Sequence, residues 1–278
     1  MFGTRSVAME RRANRAAAGA SCWLRGWQNV CALGAFLYWG VFGLMFTVLS
    51  WVLCWLLPRR CGTAFGRLAL HWAFRVFVRY LRVTGLVYAD LGSLKQLRSC
   101  RDPMIIAPNH VSLWDAVFLI ACLPQSICIM KASILSNPFL GGGARLAGYL
   151  PNRGLSRLVR EAADALEESG QLLLFPEGTR TRRDARWINP LMGGCALVSR
   201  RAGVPVMPVF IRSSSRFLEK GWPLWKRPEF PVRMSFELGE RIEPREEESA
   251  KDMTERMQRI FEEQLARPHK LRRKVEEA

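Results

Sequence analysis

The chain has 278 residues and a mass of 31.7 kDa, room for one generous domain with an appendage or for two small ones. Apolar residues make up 49% and charged residues 23%, which excludes a disordered chain. Lys and Arg number 41 against 24 Asp and Glu, a formal charge of +17 that calls for an anionic partner, either nucleic acid or anionic lipid.

The placement of the charge separates these two. Residues 1–29 carry five Arg against Glu10, and residues 59–101 carry nine basic groups against Asp90. Between Arg11 and Ala89 there are ten Arg and no acid, and that stretch brackets the most apolar part of the chain. Basic groups around an apolar segment fit a membrane surface. Anionic membrane lipid is therefore an expected partner, and nucleic acid is not. The eight cysteines form no C-x-x-C pair and there are three histidines, at 71, 110 and 269. Neither a zinc site nor a disulfide framework is expected, and no metal at the functional site.

In chain order, a basic segment over 1–29 leads into 28 uncharged residues, 30–57. As a helix these would measure roughly 42 Å, against about 30 Å for a hydrocarbon core. The run is too long for a signal-peptide core and fits a buried soluble helix poorly. Trp23 and Trp27 at one end and Trp51 and Trp55 at the other resemble two interfacial belts, which favours a single span. Basic residues flank both ends equally, so a re-entrant hairpin bent at Gly40 or Gly43 fits as well.

Residues 58–85 read as a basic interfacial helix. Arg67, His71, Arg75, Arg79 and Arg82 recur at spacings of 4, 4, 4 and 3 and make one polar stripe on an otherwise apolar helix. A helix on the surface of a domain is the other reading of the same spacing.

Residues 86–245 are expected to form an α/β domain, with strand and helix signals alternating from residue 100. Strands are expected at 104–107, 126–130, 172–175, 206–211 and 232–238. Helices are expected at 116–123, in a Gly-rich stretch up to Gly148, at 158–166 before Gly170, and at 195–201 before Gly203. Met253, Met257, Ile260, Phe261 and Leu265 mark an amphipathic helix within 246–278, with a fraying tail after Pro268. The expected fold is α/β, a mostly parallel sheet flanked by helices, with an N-terminal membrane helix or hairpin.

The first chemical signal is Asn109-His110-Val111-Ser112-Leu113-Trp114-Asp115, between an expected strand and an expected helix. His110 and Asp115 are five apart and diverge on an unbroken helix. A pair requires His110 in the turn, folded back onto Asp115 in the first helical turn. Asp115 would then hold one ring nitrogen and leave the other as a base. The spacing fits equally a loop histidine and an aspartate beside a helix dipole. Ser112 reads as the helix N-cap, since no G-x-S-x-G elbow exists to make it a nucleophile.

The second signal is Phe175-Pro176-Glu177-Gly178-Thr179-Arg180, closing a strand. Gly178 permits a tight turn with free donors, and Arg180 supplies a fork suited to a phosphate. Arg182, Arg183 and Arg186 add positive field, and a basic surface loop is the alternative. Arg153 ends a third stretch, Gly148-Tyr149-Leu150-Pro151-Asn152-Arg153, at a further strand end. The run Gly141-Gly142-Gly143 lacks the Lys and Ser/Thr of a P-loop.

Together these pieces resemble the lysophosphatidic acid acyltransferase group of the glycerophospholipid acyltransferase superfamily, bacterial type. Its N-H-x-S-x-x-D motif is matched by Asn109, His110, Ser112 and Asp115, and its second-motif arginine by Arg153. Its F-P-E-G-T-R is matched over 175–180, and its V-P-V-x-P-V strand over 204–209. The resemblance covers about 100–212. It implies transfer of a fatty acyl group to a lysophospholipid hydroxyl. The donor would be a thioester, acyl-CoA or acyl carrier protein, with no other cofactor. His110 and Asp115 would be catalytic. Arg153, Glu177, Gly178, Thr179 and Arg180 would hold the acceptor. It further implies the cytoplasmic face of a bacterial inner membrane. The F-K-x-G run of many relatives is replaced by Pro190-Leu191-Met192-Gly193-Gly194, and residues 220–223 resemble members of polyketide-like lipid pathways. The acceptor is thus 1-acyl-glycerol-3-phosphate or another lipid or polyketide-like product. A non-catalytic binder of anionic membranes is the rival of another class, disfavoured by an intact His110 and Asp115.

Overall fold

The computed structural model describes residues 3–271 except 101, 224–225 and 227, with the backbone alone for 3–22 and 168–169. The end of the charged tail, 272–278, lies outside the described residues, as do the side chains of the basic segment up to residue 22.

Helix α1 (Gly3–Leu56) runs unbroken through Gly40 and Gly43. The chain turns instead at Leu57 and Pro58, and α2 (Arg59–Val83) packs back antiparallel. The Tyr38 hydroxyl donates to Ala73 O at 2.8 Å and the Tyr80 hydroxyl to Cys31 O at 2.8 Å. A hairpin therefore exists, but Pro58 makes it, since proline lacks the N–H needed to continue a helix. The glycines do other work. A Cβ on Gly34 would lie 2.5 Å from the Tyr80 hydroxyl, and one on Gly43 would collide with the carbonyl oxygen of Phe139.

After β1 (Val87–Asp90) and α3 (Leu94–Ser99), the α/β order begins. It runs β2 (Met104–Pro108), α4 (Asp115–Ile120), β3 (Ile127–Lys131), a 3-10 turn (Ala132–Ser136), α5 (Gly141–Leu146), β4 (Leu150–Asn152) and α6 (Leu155–Ser169). Then come β5 (Gln171–Leu173), α7 (Gly194–Ala202), β6 (Val206–Ser213), β7 (Val232–Leu238) and α8 (Ala250–Ala266). Gly170 and Gly203 end α6 and α7 at φ of 75° and 65°, the left-handed stop expected of glycine. Strand β1 and helix α3 were not anticipated.

The seven strands run β1-β7-β6-β2-β5-β3-β4, parallel throughout except for β6 against β7. Strand β2 is buried along its whole length, as a central strand covered on both faces must be. Its side chains alternate between two cores. Met104 and Ile106 pack with residues of α1, α2 and α4. Ile105 and Ala107 pack with residues of α6, α7 and α8. The hairpin thus belongs to the layer on one face of the sheet, where α2 packs on α4 and β1 and α1 packs on α2 and α5.

The run Gly141-Gly142-Gly143 opens α5 and flattens it against α1, where a Cβ on Gly142 or Gly143 would meet Thr47 at 2.6 Å or Phe46 at 2.8 Å. The expected polar stripe of α2 loses one member. His71 is 1% exposed and its Nδ1 donates to Ile120 O at 2.9 Å, because this position faces α4. Toward the outside α2 shows Phe65, Leu68, Trp72 and Val76, and α1 shows all four expected belt tryptophans.

Candidate active site

The C-terminal ends of β2, β5, β3 and β4 lie side by side on one edge of the sheet. The turn at 109–115, the loop at 175–180 and Arg153 all follow these ends. The turn after β2 carries His110 and Asp115, which meet: His110 Nδ1 lies 3.0 Å from Asp115 Oδ2. Asp115 opens α4 and is fully buried. Its Oδ2 also accepts the Ser112 N–H at 2.7 Å, while Oδ1 has no partner among the described residues. Burial pushes the Asp115 carboxyl above the ordinary aspartate range, and the hydrogen bond and charge of His110 pull it back. The bonded carboxylate makes Nδ1 the protonated nitrogen. His110 Nε2 makes no hydrogen bond to the described protein, and the side chain is 17% exposed. The Phe175 ring stacks on the imidazole at 4.1 Å between centroids.

Ser112 is not the helix cap. The cap position is Trp114, because a turn intervenes before α4. The Ser112 hydroxyl donates to Phe217 O at 3.1 Å and accepts weakly from Trp114 N at 3.4 Å. It ties the turn to the loop after β6. Asn109 does the same on the strand side, donating to Ile211 O at 3.0 Å and accepting the Ile211 N–H at 2.7 Å.

The loop after β5 wraps the same turn. Glu177, expected to hold an acceptor, is 3% exposed and fully engaged by the protein. Its Oε1 accepts His110 N–H at 2.7 Å and the Thr181 hydroxyl at 2.8 Å, and its Oε2 accepts Asn189 N–H at 2.9 Å. The pull of a turn needing three acceptors outweighs any outward role for this carboxylate. Burial raises its pKa and the three donors lower it. Thr181 N–H closes the loop onto His110 O at 2.6 Å. Gly178 takes φ of +64° and donates its N–H to Phe175 O at 3.0 Å, so that amide serves the turn and not a ligand. The Thr179 amide and hydroxyl have no protein partner among the described residues.

Arg180 reaches under the loop after β6, where Nη1 donates to Leu218 O at 2.7 Å and Glu219 O at 3.0 Å. Nε and the whole of Nη2 remain for a ligand, the edge that matches a phosphate or carboxylate bidentately. Leu218, at φ of 60°, holds a left-handed backbone that costs a leucine about 1–2 kcal/mol and aims its carbonyl at both Arg180 and Leu113 N. Nothing in its residue type signals that role. Arg153 is exposed just past β4, three strand spacings or about 14 Å along the edge from β2. Between them Lys131 ends β3, exposed, a cation on the same edge that the motif reading passed over.

The fold and the strand-edge motifs together define an acyltransferase domain, and a family model described as Acyltransferase matches residues 82–212. Residues 82–212 thus carry an acyltransferase domain, and the relatives they match are glycerophospholipid acyltransferases. It is 24% identical over 180 residues to the 1-acyl-sn-glycerol-3-phosphate acyltransferase of Pseudomonas aeruginosa, covering 63% of this chain and 67% of that protein. It is 36% identical over 115 residues to the lyso-ornithine lipid O-acyltransferase of the same organism, covering 40% and 43%. The crystal structure of the 1-acyl-sn-glycerophosphate acyltransferase of Thermotoga maritima shares the fold, with a TM-score of 0.60, 19% identity, and coverage of 87% of this chain and 100% of that one.

Proposed function

We propose that the chain is a membrane-bound O-acyltransferase moving a fatty acyl group from an acyl-CoA or acyl carrier protein thioester to a lysophospholipid. The acceptor is best read as 1-acyl-glycerol-3-phosphate, giving phosphatidic acid. The single observation behind this reading is the His110–Asp115 pair, with Nε2 bare at the edge of the sheet. Nε2 removes the acceptor hydroxyl proton and the alkoxide oxygen bonds to the thioester carbonyl carbon. As the C–S bond breaks, the thiolate takes the proton from the imidazolium. The thioester is already activated, so one displacement suffices. Arg180, with Thr179, Arg153 and Lys131 along the same edge, supplies donors for the acceptor phosphate.

The exposed apolar faces of α1 and α2 and their flanking arginines support seating in a bacterial cytoplasmic membrane rich in anionic lipid. The catalytic edge would face the cytoplasm, where both thioester donors are found. Carbonate and high-salt washes should leave the protein in the membrane pellet; release into the supernatant would count against this seating.

The decisive assay is a panel of lysolipid acceptors against both donors, with His110→Ala beside wild type. Loss of about 10²–10⁴-fold in turnover is the worth of a positioned base. Intersecting double-reciprocal lines are expected; ping-pong kinetics, or acyl label retained by wild type and lost in Ser112→Ala, would overturn single displacement. The 36% identity to a lyso-ornithine lipid O-acyltransferase favours a second reading with that class of acceptor. An ornithine carboxylate suits the free edge of Arg180 as a phosphate does, and the same panel separates the two.

A further inference from the structure

Helix α4, the short helix that begins with Asp115, is gripped at both ends by α2. At its start the Trp114 ring meets Phe77 edge-on at 5.2 Å and meets Phe217, from the loop after β6, at 5.2 Å on another side. At its end the Ile120 carbonyl accepts a hydrogen bond from His71 Nδ1 at 2.9 Å. The two anchors are six residues apart on α2, and their targets are six residues apart across α4. Six residues rise about 9 Å in a helix, so antiparallel anchors of equal spacing hold α4 without slack.

The chemistry at His71 is one-sided. A carbonyl only accepts, so Nδ1 carries the proton and Nε2 is bare. Nε2 is buried with no partner among the described residues, and the side chain is 1% exposed. Burying an unpartnered ring nitrogen is costly, so an apolar residue would serve packing alone at least as well. What leucine cannot do is fix the carbonyl that ends α4.

We propose that His71 is a positioning residue for acyl transfer, setting α4 so that Asp115 meets His110. This rests on the reading of His110 as base and Asp115 as its orienter. A displacement of about 1 Å in such a constellation can cost 10²-fold in rate.

The test uses the full chain in membranes or detergent. His71→Leu should lower kcat about 10- to 100-fold, with KM for both substrates within about twofold. His71→Asn, whose amide nitrogen takes the place of Nδ1, should keep most of the activity. In an Asp115→Asn background His71→Leu should cost less than about twofold, because the route through Asp115 is already lost. An equal loss in both backgrounds, or wild-type kcat in a folded His71→Leu, overturns the proposal. Should His71→Leu fail to fold, Phe77→Leu loosens the other anchor and must show the same kcat loss, masked by Asp115→Asn; its absence overturns the proposal too. Full activity in His110→Ala would instead remove the underlying reading, whatever His71 does.

Discussion

Glu177 holds His110 by its backbone: Oε1 accepts the His110 N–H at 2.7 Å, and the carboxylate makes no contact with the imidazole nitrogens. The most acidic-looking member of the second motif therefore shapes the catalytic turn from behind. In Glu177→Gln one amide face must meet a donor, since His110 N, Thr181 Oγ1 and Asn189 N all point inward. A lost buried partnership of this kind costs about 1–3 kcal/mol. We expect a lower melting temperature and lower turnover per folded molecule, with little change in KM. A rise in KM for the acceptor alone would return Glu177 to a binding role.

Asp115→Asn separates stability from catalysis. Burial raises the folded-state pKa of Asp115 above its unfolded value near 4. A group shifted this way contributes stability below the unfolded pKa and loses it as pH rises through the folded one. Asparagine does not titrate, so the variant should match or exceed wild type in thermal stability at pH 7. The difference should narrow toward pH 4. Turnover should still fall steeply: the Ser112 N–H keeps the amide oxygen on the His110 side, but a neutral amide cannot stabilise the imidazolium that forms as His110 takes the acceptor proton. Melting curves between pH 4 and 8 decide it; a destabilisation at pH 7 that vanishes at pH 4 would contradict the sign.

Arg180→Ala should weaken acceptor use more than donor use. A hydrogen bond to a charged group contributes about 1.5–3 kcal/mol, or roughly 10- to 150-fold. The loss should shrink with acceptors lacking phosphate. Arg180→Lys should not restore it, since a compact ammonium has no planar edge left to offer a ligand while it binds Leu218 O and Glu219 O. Equal losses with phosphorylated and dephosphorylated acceptors would refute a headgroup role.

Gly178→Ala tests the turn. The position has φ of +64°, and a Cβ would run into Met192 Sδ. Met192 is exposed and flexible, so its collision is relieved by movement, whereas the backbone penalty of about 1–2 kcal/mol is not. Met192→Ala in the same chain should therefore recover only a minor part of the stability lost. Full recovery on calorimetry would place the penalty in the side-chain collision.

Six of the seven strands were legible in the chain, counting the one that Arg153 closes; the pairing of His110 with Asp115 was legible only through the resemblance of its motif, since the spacing left it open. Buried parallel strands such as 104–107 are continuous apolar runs, and strand-end motifs follow them directly. Strand β1 was missed because Val87-Tyr88-Ala89-Asp90 is four residues of mixed exposure at a sheet edge, with no period to read. The inward role of Glu177 was missed because a motif gives residue types and not the direction of a carboxylate. His71 was misread for a related reason: spacing at 4, 4, 4 and 3 places it with the arginines, and only the neighbouring α4 reveals that its face is covered.

The flat glycine face of α5 has a consequence for how this protein can be divided. Gly142 and Gly143 admit Thr47 and Phe46 of α1 at backbone distance, so cutting the chain after Pro58 would uncover a surface with no side chains of its own to cover it. The same cut would bare Phe74 and Phe77, whose rings pack on Trp39. The frontier between the oily part and the water-loving part is not a point along the polypeptide at which a soluble fragment could be released. It runs lengthwise down α1, with one flank turned outward and the other serving as a wall of the enzyme.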